Sequence, residues 1–337
     1  MRKQQITVLT GDRPTGKLHL GHFVGSIQNR VKLQDEADCS FYMIADVQAL
    51  TDNANNPEKV RSNVLEVALD NLACGIDPNK TTMFIQSEIS EIAELTVFFL
   101  NLVTLARLKR NPTVKDEMKQ KGYGEDVPAG FLVYPVSQAA DILFCKSNLI
   151  PVGEDQLPVI EQVNEIVNDF NRIYGDTFEK VKHLVGDTPR LVGIDGGVKM
   201  GKSLNNAIYL SDSYEEIKKK VMNMYTDPKH IHVNDPGDVK NNVVFKYLDI
   251  FDNDKVEVAK LKEQYKKGGL GDVVIKKRLI EVLENLVAPI REKRENLAKN
   301  PEAVMKILED GTIKARKIAK ETMKEVKEKI KINYFNI

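Results

Sequence analysis

Two short segments, far apart in the chain, carry residue types able to handle a nucleotide. The first runs Thr10-Gly11-Asp12-Arg13-Pro14-Thr15-Gly16-Lys17-Leu18-His19-Leu20-Gly21-His22 and holds two of the five histidines. At a helix start, such an H-x-G-H element turns both imidazoles toward one ligand. Gly21 has no side chain, so a flat base or ribose can lie on the backbone, while exposed N–H groups and the helix dipole favour phosphate. Imidazole N–H groups can then stabilise charge building on phosphorus. The second segment is Gly196-Gly197-Val198-Lys199-Met200-Gly201-Lys202-Ser203-Leu204-Asn205. Its glycines make a mobile loop, and two lysines three apart bracket a polyphosphate. Its letters fit the G-x-x-x-x-G-K-[ST] pattern, but no strand-to-helix turn leads into it, so it is read as a lysine loop and not as a P-loop.

The elements that must position these segments follow from residue patterning. Ile6–Thr10, Phe41–Ala45, Thr81–Gln86, Asn148–Val152 and Arg190–Ile194 read as strands, separated by helices at about 20–34, 58–73 and 156–174. Gly75 and Pro78 punctuate the end of the second helix. Alternating strands and helices imply a parallel sheet covered on both faces, with ligands at the carboxyl ends of its strands. Beyond about residue 210 the β signal fades, and 214–222, 254–266, 271–296 and 301–331 read as helices. The expected organisation is an α/β domain over residues 1–208 and an all-helical domain over 209–337.

Composition narrows the class. The chain has 337 residues, 49 basic and 49 acidic side chains, 42% apolar residues, three cysteines and no tryptophan. That length supports two domains with sizeable cores, and the apolar fraction excludes a mostly disordered chain. The longest apolar runs are too short to cross a membrane, and the first residues carry no secretory pattern, so a cytoplasmic protein is expected. Cys39, Cys74 and Cys145 are scattered and read as reduced thiols. Zero net charge does not exclude nucleic acid, because charge is clustered: Lys306–Lys331 holds nine Lys/Arg against five Asp/Glu, and Arg107, Lys109, Arg110, Lys115, Lys119 and Lys121 form a second basic group.

The H-x-G-H element near the start and K-M-x-K-S after the last expected strand together resemble the signatures of the class I aminoacyl-tRNA synthetases, in particular the branch specific for tryptophan. Gly11–Ser26, Met43–Thr51, Gly75–Glu88, Tyr134–Gln156, Lys199–Ser203 and Asp310–Ala315 carry the likeness, which covers the chain nearly end to end. The resemblance implies a Rossmann-like doubly wound parallel sheet followed by a helical domain that reads the tRNA anticodon, with the last helix able to pack back on the first domain. It implies activation of tryptophan by ATP, then transfer to tRNA, in a homodimer. By the same resemblance, His19, His22, Lys199 and Lys202 are catalytic. ATP would be met by Arg13, Pro14, Thr15, Gly21, His22, Gly153, Glu154, Asp155, Leu191 and the loop Lys199, Met200, Gly201, Lys202, Ser203. Asp141 would accept the indole N–H, with Tyr134, Gln138 and Gln48 lining that pocket. Mg²⁺ would come with ATP, and no dedicated protein metal site is expected, since the histidines and cysteines show no ligand spacing.

Some positions depart from the family's commonest pattern. Gly201 replaces a serine, Arg13 a glutamine, Gln138 a methionine and Gln48 a histidine, while Leu157-Pro158-Val159 replaces a more polar continuation of Gly153–Gln156. Three rivals share parts of the signature: the tyrosine-specific branch, a nucleotidylyltransferase of cofactor synthesis, and a non-catalytic tryptophan sensor. A nucleotidylyltransferase leaves the helical half unexplained, and a sensor has no need of leaving-group lysines.

Overall fold

Five parallel strands form one sheet: β1 (Thr7–Asp12), β2 (Cys39–Ile44), β3 (Thr81–Ile85), β4 (Leu149–Val152) and β5 (Lys182–Val185), in the spatial order β3-β2-β1-β4-β5. The structure is a computed structural model and describes residues 5–124, 126–185, 191–197 and 200–335. Chain order runs outward from β1 to β3 on one side and from β4 to β5 on the other. The order therefore reverses between β1 and β4, where a doubly wound sheet opens a crevice at the carboxyl ends. Helices are the rest of the fold, and among the described residues none is long and apolar enough to cross a membrane.

Packing divides the chain into two compact units: Met1–Gly16 with Asn29–Gly186 and Asn300–Ile337, and Lys17–Gln28 with Asp187–Lys299. These cuts differ from the boundary at 208 that the fading β signal suggests. Backbone pairing explains the first difference. His19 and Tyr209 form an antiparallel bridge, with Leu20 N–H donating to Ile208 C=O at 2.9 Å and Leu210 N–H to Leu18 C=O at 3.1 Å. The second difference is the last helix, Pro301–Lys329, which belongs to the first unit. Its Ala315, Ala319, Met323 and Val326 join the same buried core as Phe41, Met43, Phe84 and Phe144. Thr312 Oγ1 accepts the Ile85 N–H at 3.2 Å, so this helix covers edge strand β3 and satisfies one of its open donors.

One expected strand is corrected. Leu191–Ile194 is not a strand, and Arg190 lies outside the described residues; the fifth strand is Lys182–Val185. β5 is an exposed edge strand carrying Lys182 and His183, so it shows none of the apolar run that marks a buried parallel strand. The helix expected from Leu20 is present but winds as a π-helix over Phe23–Ile27, between α-helical Leu20–His22 and Gln28–Glu36. Such π segments recur at functional sites.

The second unit is built from Tyr214–Met222, Val243–Phe251, Lys255–Lys267 and Asp272–Ala298 around Ile217, Val221, Phe245, Tyr247, Leu279, Leu283 and Val287. The Tyr247 hydroxyl reaches out of this core and donates to Val192 C=O at 2.7 Å, tying the helices to the segment that leads into the lysine loop.

Gly311 is where the last helix comes closest to the sheet: a Cβ there would lie 1.8 Å from the Met83 carbonyl oxygen. Gly311→Ala should therefore push the helix off β3 and destabilise the first unit by about 1–3 kcal/mol, the usual cost of overpacking. Urea unfolding measures it, and the gain of up to about 1 kcal/mol that Ala brings to an open helix position is the opposite outcome.

Candidate active site

In the second unit the H-x-G-H element and the lysine loop are neighbours. His19 caps the helix start: its Nδ1 accepts the Gly21 N–H at 3.1 Å, and its own N–H donates to His22 Nδ1 at 3.2 Å. With each Nδ1 used as an acceptor, the neutral rings carry their protons on Nε2, so both present a donor at that edge. The ring centroids are 3.9 Å apart, and the pair is held as one block. A Cβ on Gly21 would meet His19 Cε1 at 2.9 Å, so the glycine makes room for the His19 ring folded over the helix start; Met200 Cβ, at 3.7 Å from the same point, lies in ordinary contact. Met200 is buried and donates its N–H to Leu191 C=O at 3.1 Å, placing Leu191, also buried, against the same loop. Asn206 holds the loop's far end, its Oδ1 accepting the Gly201 N–H at 2.9 Å and its Nδ2 donating to Asp195 at 3.0 Å. Lys202 and Ser203 sit on the single turn Lys202–Leu204, and no long helix follows it. Lys199 lies outside the described residues.

The first unit supplies the strand ends. β1 stops at Asp12, so Arg13, Pro14 and Thr15 occupy the turn at its carboxyl end, closed by Thr15 N–H donating to Arg13 C=O at 2.8 Å. β4 stops at Val152, and Gly153 leads into the exposed turn Glu154–Gln156, whose Asp155 C=O accepts from Thr113 Oγ1 at 2.8 Å. These two turns flank the reversal point of the sheet. Arg13 is half-exposed and pairs with Asp52 at 2.8 Å, as Lys121 does at 2.9 Å. Below the turn, Arg30 and Tyr42 both donate to Asp12 Oδ2, at 2.7 and 3.0 Å, and Asn71 joins them in a buried polar cluster. That cluster anchors the end of β1 and has no signature in the local sequence pattern.

Asp141 lies in the helix Ala129–Leu143 and is 1% exposed. Gln86 Nε2 donates to its Oδ1 at 2.7 Å and Gln48 Nε2 to its Oδ2 at 3.0 Å. Burial pushes this carboxyl up to about 7, the two amides pull it back, and the charge of Asp46 adds to the rise. Gln138 and Tyr134, one and two turns earlier on the same helix face, are half-buried. Burial, and then the Glu117 carboxylate, raise the Tyr134 phenol above its ordinary value, so it stays protonated.

Residues 1–288 match the family described as tRNA synthetases class I (W and Y). The chain belongs to that family. A tryptophan–tRNA ligase of Clostridium longisporum is 57% identical over 333 residues, covering 98% of each chain. One from Streptococcus agalactiae is 53% identical over 335 residues, covering 97% of this chain and 98% of that one. Among solved structures, tryptophanyl-tRNA synthetase from Campylobacter jejuni, complexed with ADP and tryptophan, superposes with a TM-score of 0.85 at 34% identity, over 97% of this chain and all of that one.

Within this synthetase, the sequence reading names Asp141 and Gln48 but misses Gln86, which touches the same carboxylate. The signal was available: a polar residue immediately after β3, at the carboxyl end of a parallel strand, where ligand-directed groups collect. Asn206 is the other residue missed, because its work is done on backbone of the lysine loop. Asn206→Ala leaves the Gly201 N–H without its acceptor, which should cost about 1–3 kcal/mol. The expected result is a lower melting temperature with faster proteolytic cleavage in 195–206; an unchanged cleavage pattern would mean the loop is ordered without it.

Proposed function

We propose that the synthetase is a tryptophan–tRNA ligase: it joins L-tryptophan to ATP as tryptophanyl-adenylate, releasing pyrophosphate, and then esterifies tRNA(Trp). The observation that carries this reading is the buried Asp141. An indole nitrogen is donor-only, so an acceptor held deep in a pocket selects for it against rings without that donor. The relatives named tryptophan–tRNA ligase, similar over nearly the full chain, support the same reading.

In the first step the tryptophan carboxylate attacks the α-phosphorus of ATP, and the bond to pyrophosphate breaks. The protein's part is positioning and charge stabilisation. His19 and His22 donate from Nε2 to the α-phosphate and ribose. Lys199 and Lys202 neutralise the departing pyrophosphate, together with the Mg²⁺ that arrives on ATP; no protein ligands are assigned to that ion. Arg13, Pro14 and Thr15, with Gly153, Glu154 and Asp155, hold the nucleotide from the ends of β1 and β4. Gly21 and Leu191 lie against its base and ribose, and Met200, Gly201 and Ser203 shape the lysine loop. Tyr134, Gln138 and Gln48 line the tryptophan pocket around Asp141. In the second step a terminal ribose hydroxyl of the tRNA attacks the adenylate carbonyl and AMP leaves. A site that hydrogen-bonds its substrate's N–H needs no editing domain.

The helices of residues 209–337 are assigned to the anticodon end of the tRNA, held through phosphate contacts that weaken with salt, the last of them, Pro301–Lys329, being packed on the sheet of the first unit. Residues 1–208 carry the catalytic role. Homodimer formation is proposed through residues 94–110, where Val97 is 57% and Leu105 65% exposed. The protein acts in the cytoplasm, with no membrane partner.

Tryptophan-dependent exchange of labelled pyrophosphate into ATP tests the reading: tyrosine should support exchange at least about 10³-fold less efficiently, and equal rates would assign the chain to another specificity. Lys202→Ala should slow adenylate formation by about 10²-fold in single turnover, the scale of one lost charge-stabilising contact. The pH dependence has a definite sign. Only ionised Asp141 accepts without also donating, and its carboxyl titrates at about 7. The KM for tryptophan should therefore rise as pH falls below about 7, approaching tenfold per pH unit, and level off above it.

A further inference from the structure

Gln86 does more than touch Asp141. It is 2% exposed and sits directly after β3. Its Oε1 accepts the backbone N–H of Gln48 at 3.1 Å, while its Nε2 donates to Asp141 Oδ1 at 2.7 Å. A backbone N–H needs an oxygen acceptor, so the first contact fixes which way the amide lies, and the nitrogen is left with no choice but the carboxylate. Gln48 then completes the arrangement from the other side, its Nε2 on Asp141 Oδ2 at 3.0 Å. Each carboxylate oxygen has room for two donors, so one amide on each still leaves an acceptor site for a ligand N–H.

We propose that Gln86 is a positioning and specificity residue for indole recognition, orienting Gln48 and acting with it as a two-amide clamp that holds Asp141 in one rotamer as an acceptor-only carboxylate. This rests on the tryptophan reading given above. An amide NH₂ cannot accept a proton, so two of them facing a carboxyl favour its ionised form. A protonated Asp141 would keep a carbonyl oxygen as a weaker, neutral acceptor and would carry a hydroxyl that must itself find an acceptor, which an indole N–H is not. The clamp is therefore what converts a buried acid, which burial drives toward neutrality, into an indole acceptor.

The other titratable groups around Asp141 do not supply this control. Asp46, at the start of the helix Asp46–Asn53, has the same sign as Asp141 and opposes its ionisation; its own oxygens accept from Ser87 N–H at 2.9 Å and Ser87 Oγ at 2.5 Å. Burial pushes the Cys145 thiol up to about 12, so it stays neutral. Tyr134, on Asp141's own helix, also stays protonated. Glu88, from the turn that carries Gln86, is engaged with Arg316 at 3.1 Å.

The test is a direct titration of free tryptophan into the full-length protein, followed by the indole fluorescence that a chain without tryptophan leaves uncovered. Dissociation constants are measured across about pH 6 to about pH 9.5 for wild type, Gln86→Met and Gln48→Met, each checked for folding by thermal melting. Removing one donor from the carboxylate should move the midpoint of the Kd–pH curve upward by about 1–2 pH units, weaken binding near neutrality by about 10-fold or more, and recover most of the affinity at the alkaline end. Gln86→Met should have the larger effect, since it also frees the Gln48 backbone. If Gln86→Met does not fold, Gln48→Met alone must show the upward shift. A midpoint that stays in place, or a Kd raised by the same factor at every pH, overturns the clamp and leaves a packing role. Wild type that binds tyrosine and not tryptophan overturns the tryptophan reading instead, so the two failures are distinguishable.

Discussion

A carboxylate in an apolar interior persists only where hydrogen bonds replace the water it lost. Asp141 meets that condition with two glutamine amides, and the first unit is organised so that they can reach it. Gln48 follows β2, Gln86 follows β3, and Asp141 lies on the helix that precedes β4. The two glutamines converge because β2 and β3 are parallel and release their carboxyl ends on one side, where the helix Ala129–Leu143 presents Asp141. An antiparallel sheet would send alternate ends to opposite edges and could not gather them. The core beneath is packed for rigidity, with Phe144 edge-on to both Phe41 and Phe84 at centroid distances of 6.5 and 5.4 Å.

The nucleotide segments meet by a different device. The bridge between His19 and Tyr209 sets the H-x-G-H element beside the strand-like residues that follow the lysine loop. Met200 then lies next to Gly21, with Leu191 bonded behind it. Two segments about 180 residues apart in sequence become one surface through a few backbone hydrogen bonds, which add no chemistry of their own but fix its geometry.

Much of this was legible in the sequence, for reasons that can be named. β1 to β3 carry buried apolar residues and β4, though only Ile150 of it is buried, is apolar throughout, so these four announce themselves as apolar runs. β5 is a polar edge and does not. The first segment holds two of the chain's five histidines, and the second sets two lysines three apart in a glycine-flanked stretch, so both stand out by composition and spacing in a single chain. Gln86, Asn206 and the Arg30–Asp12 pair do not, because glutamine, asparagine and arginine occur everywhere and their meaning depends on what lies across from them. The packing of Pro301–Lys329 on the first domain enters only through the resemblance; composition hides it, because its basic face suggests a solvated helix, while the small residues Gly311, Ala315 and Ala319 that seat it against the sheet are unremarkable one at a time.

The central claim is that a buried, ionised acceptor selects the indole N–H. It is tested most directly by comparing kcat/KM for tryptophan with that for its analogue carrying sulfur in place of the ring N–H, which keeps the shape and removes the donor. The account predicts a preference for tryptophan on the order of 10⁴, the discrimination expected when a site's buried hydrogen-bonding group is left unpaired. A ratio within about tenfold would contradict it, because shape alone would then explain the choice.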